Sequence, residues 1–163
     1  MIGKHSLQIW TSIFLTFLIA INLSLLQLPI ELFWLKPNWV TLVFIYWVIF
    51  LPNTIGILSG FSIGLLLDLL ENNLLGSMGL TLTIIAFITN ILRIRIRQLR
   101  FWQQIFIVFI LVGFEKLMRC WTQLTVEHST INLSHLVSTF INIGIWPVLS
   151  TILQFYQRSL KLY

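Results

Sequence analysis

Two groups of residues in this chain could do chemistry by type and spacing. The first lies in the run GILSGFSIGLLLDLLE, Gly56–Glu71, where Gly56, Gly60 and Gly64 recur at every fourth position and Asp68 takes the next step. In an α-helix that interval puts all four on nearly one face. The second is Glu115 and Lys116 with Arg119, in which Glu115 and Arg119 stand one helical turn apart. A carboxylate inside a membrane either relays a proton or ion, or pairs with a cation and fixes one helix against another. Glycines at a four-residue interval form a flat groove for a neighbouring helix, whether a partner's or one of the chain's own.

The elements that must hold these residues follow from composition. Of 163 residues, 58% are hydrophobic and 9% charged, and the mean hydropathy is +0.94. A soluble domain needs roughly 25% charged residues to face water. The chain therefore reads as an all-α polytopic membrane protein, one integral domain over residues 1–163. Six transmembrane helices are expected at about residues 7–26, 39–51, 54–70, 79–92, 101–121 and 136–156. About 20 apolar residues are needed to cross a hydrocarbon core of about 30 Å. The second and fourth runs are short, so each is a full crossing in a thinned bilayer or a buried or re-entrant piece.

Charge sets the orientation. With both termini cytoplasmic, Lys4, Arg93, Arg95, Arg97, Arg100, Arg158 and Lys161 fall inside, and none of the 5 acids joins them. That asymmetry obeys the positive-inside rule. The first apolar run, at about 20 residues with no A-x-A site, is too long for a signal peptide and reads as a retained span. Cys120 is the single cysteine, so no internal disulfide framework exists.

The third and fifth spans run in the same direction, which brings Asp68 and Glu115 to one depth in the outer leaflet. Asp68 and Glu115 against Lys116 and Arg119 cancel in formal charge. Balanced charges of this kind point to structural pairing, with Asp68 tying the outer end of a glycine-packed helix to the fifth helix through Arg119 or Lys116.

RIRIRQLR, carrying Arg93, Arg95, Arg97 and Arg100, is the strongest electrostatic feature and reads as a cytoplasmic basic loop. Arginines at a membrane surface attract anionic lipids at about 1 kcal/mol each. An acidic cytoplasmic protein is the other candidate partner. Nucleic acid is not expected, since no folded basic module accompanies them. Glu127, His128 and His135 are too sparse for a metal site, and no cofactor is implied. No G-x-S-x-G, Walker loop, C-x-x-C or H-E-x-x-H is present, so no enzyme is expected.

Several stretches together resemble the rod shape-determining MreD family. They are LKPNWVTLVFIYW (Leu35–Trp47), LPN (Leu51–Asn53), GFSIGLLLDLL (Gly60–Leu70), LLGSMGL (Leu74–Leu80), FWQQ (Phe101–Gln104) and WP at Trp146 and Pro147. The resemblance covers nearly the whole chain and is nearest to the short MreD proteins of Gram-negative bacteria. Pro37, Asn38, Trp39, Gly60, Gly64 and Asp68 match the family pattern, whereas Glu115, Lys116 and Arg119 match no family motif. The resemblance implies a non-catalytic inner-membrane component of the elongasome. Its partners there would be the bitopic protein MreC, the glycosyltransferase RodA with its penicillin-binding transpeptidase, and the actin-like MreB, in lateral peptidoglycan synthesis and maintenance of rod cell shape. It also implies the six-helix fold of the substrate-binding subunits of energy-coupling-factor transporters.

Two functions follow. In the first, the bundle is a membrane scaffold whose glycine face, with Pro37, Asn38 and Trp39, packs helices or receives a partner, a second copy of the chain included. In the second, it is a small-molecule- or lipid-binding protein, with Asp68 beside a Glu71–Gly79 loop that would lid an outward cavity.

Overall fold

Apolar runs broken by proline, glycine and polar turns give helices throughout. The computed structural model describes residues 2–26, 37–52, 54–71, 74–126 and 134–159, with no strand among them. Six α-helices follow one another: α1 (Ile2–Leu25), α2 (Trp39–Phe50), α3 (Ile57–Glu71), α4 (Ser77–Gln98), α5 (Phe101–Val126) and α6 (Ser134–Ser159). Side chains are described from Ile9 onward, with those of Thr125–Ile141 outside the description. Glu127 and His128 also lie outside the described residues, as does the side chain of His135.

Helix α2 is the centre. Its sequence, WVTLVFIYWVIF, is apolar all round, which suits a helix buried on every side. Every residue from Val40 to Ile49 is buried. Three polar contacts tie it to its neighbours. The Trp47 indole donates to Thr16 Oγ1 on α1 at 2.9 Å, the Tyr46 hydroxyl to Gln157 Oε1 on α6 at 3.0 Å, and the Asn38 amide to Asn142 Oδ1 on α6 at 3.0 Å. Leu51 and Pro52 end it, since a residue before proline disfavours helical backbone.

Helix α3 opens on a reciprocal cap. The Gly56 amide donates to Ser59 Oγ at 2.8 Å, and that hydroxyl donates back to the Gly56 carbonyl at 2.7 Å. It then returns antiparallel to α4, the most extensive helix pairing in the fold.

Helix α4 runs to Gln98, so Arg93, Arg95 and Arg97 lie on its last turns and only Arg100 sits in a turn. The expected basic loop is thus mostly helix. Isoleucine and arginine do not break a helix, and arginines are favoured at its negative C-terminal end. At 22 residues, α4 is long and apolar enough to cross a membrane. The α4–α5 turn is closed by side chains: Gln103 Oε1 accepts the Arg100 amide, and Gln104 Nε2 donates to the Ile96 carbonyl.

Candidate functional site

The residues singled out by type and spacing gather at the α3–α4 turn. Gly64 is there because nothing larger fits. A Cβ on it would stand 2.5 Å from the Cα of Gly79 and 2.5 Å from the Met78 carbonyl oxygen. Gly60 meets the Leu82 carbonyl at 3.0 Å and Phe44 at 2.9 Å. The groove is therefore filled by α4, and the glycine face is helix packing within the chain rather than a surface open to a partner. Gly56 takes no part. Its nearest neighbour would be the Pro52 carbonyl at 4.0 Å, and it serves instead as the cap of α3.

Asp68 ends this stripe and is fully buried. Its carboxylate accepts the backbone amides of Gly76 at 2.9 Å, Met78 at 3.0 Å and Gly79 at 3.3 Å, and the Ser77 hydroxyl at 3.0 Å. These are the orphan donors that open a helix, where an anion also meets the positive end of the helix dipole. Gly76 makes the approach possible with φ +94°, a left-handed conformation that a side chain would oppose. The sequence-based expectation that Asp68 pairs with Arg119 or Lys116 on α5 is corrected here. Asp68 fastens α3 to α4, because four donors ten residues on satisfy it more completely than one distant cation.

Arg119 is bound elsewhere. Its Nη1 lies 2.6 Å from Glu71 Oε2, and its Nη2 lies 3.4 Å from Glu115 Oε1. Nη2 also approaches the Met78 sulfur at 3.7 Å, and the Ser24 hydroxyl on α1 donates to Glu71 Oε1 at 3.4 Å. One guanidinium thus gathers the ends of α1, α3 and α4 about α5. Glu115 is fully buried, and its Oε2 has no hydrogen-bond partner among the described residues. Lys116 is half-buried beside this cluster and is not a partner of Asp68. Glu71, assigned by sequence to the outer loop, is the missed member. Its three-residue spacing from Asp68 puts it one turn on along nearly the same face, which is the signal that could have found it.

Pro37, Asn38 and Trp39 form the opening of α2 rather than part of this site. Asn38 precedes the helix, its amide held by Asn142, while its Nδ2 is buried without a partner. At the opposite end of the bundle, Arg97 Nη2 donates to the Phe50 carbonyl at 2.9 Å and its guanidinium lies 5.3 Å from the Phe50 ring centroid, holding α4 to the end of α2.

The arrangement joins helix ends through saturated polar contacts. The family model for the rod shape-determining protein MreD matches residues 4–156. The chain belongs to the MreD family. The rod shape-determining protein MreD of Haemophilus influenzae is 28% identical over 154 residues, covering 94% of this chain and 95% of that protein. No solved structure matches. Membership in MreD gives the chain a role in rod-shape determination, within a family of shape-determining membrane proteins rather than known enzymes. The carboxylate and guanidinium contacts described above all lie inside the segment that the MreD model matches.

Proposed function

We propose that the chain is a non-catalytic membrane scaffold of the cell-wall elongation machinery. In this reading six helices cross the bacterial inner membrane, with both termini and the arginine end of α4 on the cytoplasmic side. The observation that carries it is the inverted distribution of polarity. Asp68, Glu115 and Asn142 are buried, whereas Leu58 is 83% exposed and Phe155 is 77% exposed on outward faces. An apolar exterior around a polar clasp suits lipid and neighbouring transmembrane helices, not water. Helix α2, about 18 Å long at 1.5 Å per residue, is shorter than the hydrocarbon core and acts as a piece buried among the other helices.

The partners are those of the family's machinery: MreC, RodA with its penicillin-binding transpeptidase, and MreB. The outward apolar faces would receive them, since α4 already occupies the glycine face. The rival, a ligand-binding protein with the fold of transporter substrate-binding subunits, rested on Asp68. That carboxylate is engaged inside the α3–α4 turn, which leaves the rival without its anchor.

The test is to tag the C-terminus beyond Tyr163, extract in mild detergent and identify what co-purifies. Recovery of MreC and the wall-synthesis enzymes without a stoichiometric small molecule is expected. A lone chain carrying one defined metabolite would overturn the scaffold in favour of ligand binding.

A further inference from the structure

We propose that the arginine end of α4 is a docking surface for anionic phospholipid, with acyl chains along an apolar ridge and phosphate among Arg93, Arg95 and Arg100. The proposal rests on the membrane reading above. The ridge is made by Leu80, Ile84, Phe87, Ile91 and Ile94, all exposed and spaced four and three residues apart in alternation. That spacing keeps them on one outward face of α4. Ile96 faces the core, so at about 100° per residue Ile94 lies nearly opposite it, with Arg93 and Arg95 on the two flanks. Ile94 is 63% exposed where the ridge reaches these arginines, and Trp102, in the first turn of α5, is 81% exposed beside Arg100. An indole at such a boundary suits the headgroup layer.

Charge identifies the occupant. Among the described residues, no carboxylate pairs with Arg93, Arg95 or Arg100. Arg97 is different, because the Phe50 carbonyl and ring hold it. The described acids Asp68, Glu71 and Glu115 stand at the far end of α3 and partway along α5. A soluble acidic protein would match the arginines but would not cover the ridge that runs from them along the length of α4. A lipid with an anionic phosphate matches both.

The full chain would be placed in nanodiscs of phosphatidylcholine with phosphatidylglycerol of the same chain length, and the lipids it retains weighed by native mass spectrometry. The wild-type chain is expected to retain phosphatidylglycerol preferentially. Arg93→Gln, Arg95→Gln and Arg100→Gln together should lower that preference by roughly a hundred-fold, about five-fold per arginine. This triple variant should keep the wild-type thermal midpoint, since it removes no internal contact. Arg97→Gln should do the reverse, keeping the preference and lowering the midpoint. Equal retention of both lipids by the wild type overturns the proposal while leaving the membrane reading intact. So does an undiminished preference in the triple variant, and if soluble polyglutamate binding falls in that variant, the surface is one for an acidic protein. Failure to enter discs of phosphatidylcholine alone would break the membrane reading itself, and the lipid site with it.

Discussion

Asp68 and Glu115 are both carboxylates with no exposed surface, yet they are compensated in opposite ways. Asp68 has donors on both oxygens, all from the first turn of α4 and the residue before it. Glu115 has one 3.4 Å contact with a guanidinium whose 2.6 Å contact goes to Glu71, and its second oxygen has no partner among the described residues. The first arrangement is local, made of backbone dipoles that the fold must place somewhere in any case. The second joins separate helices through one flexible cation. A helix terminus neutralises a buried carboxylate with groups that are themselves unsatisfied, so both sides gain. An ion pair must instead recover the desolvation of two charges, and often does no better than break even.

The difference predicts a ranking, read as thermal or denaturant unfolding of the detergent-solubilised chain. Gly64→Leu should have the largest effect. Its side chain would have to displace the backbone at Met78 and Gly79, which removes the donors of Asp68 along with the helix contact. Overpacking of this kind costs about 3 kcal/mol or more when the obstacle cannot move. A folded variant with a midpoint close to wild type would mean that α3 and α4 are not pressed together here.

Asp68→Asn comes next. The amide keeps one acceptor oxygen and turns an NH2 towards backbone N–H groups, leaving donors facing a donor. Losing charge-assisted bonds in a buried place costs about 2 kcal/mol. Glu115→Gln has the same chemistry and should cost much less, within about 1 kcal/mol of zero, because it removes a buried charge that Arg119 compensates weakly. Equal costs for the two substitutions, or a larger cost for Glu115→Gln, would break the comparison.

What the sequence made legible divides along the same line. The helical interval of the glycines with Asp68, and of Glu115 with Arg119, is a property of local geometry, and both pairings of faces appear in the fold. The partner of Asp68 was not legible, because the competition lay between a visible charge on α5 and backbone amides that carry no residue type. Only the glycine at position 76 marked the turn that delivers those amides. Glu71 was misplaced for a related reason: its residue type suits a loop, and only its interval from Asp68 put it on the helix. The basic run RIRIR hid the end of α4, since strong charge suggested a loop where propensity and the helix dipole both allow a helix.

The smallest effect is expected at Gly56, and it sharpens the account of the stripe. If Gly56, Gly60 and Gly64 formed one external docking face, an added methyl on any of them would leave the isolated chain equally stable and weaken partner binding alike. The geometry predicts a gradient instead. At Gly56 a new Cβ has nothing closer than the Pro52 carbonyl at 4.0 Å, and the backbone bond to Ser59 survives the change. Alanine is a poorer cap than glycine by some tenths of a kcal/mol, while the unfolded chain loses a similar amount of freedom. Gly56→Ala should therefore lie within about 0.5 kcal/mol of wild type. Gly60→Ala should cost about 1–3 kcal/mol, because Phe44 can turn aside but the Leu82 carbonyl, 3.0 Å away, cannot. Gly64→Ala should exceed both, with backbone on every side at 2.5 Å. A flat series across the three would return the stripe to an outside partner, whereas a rising one places its function in closing α3 upon α4.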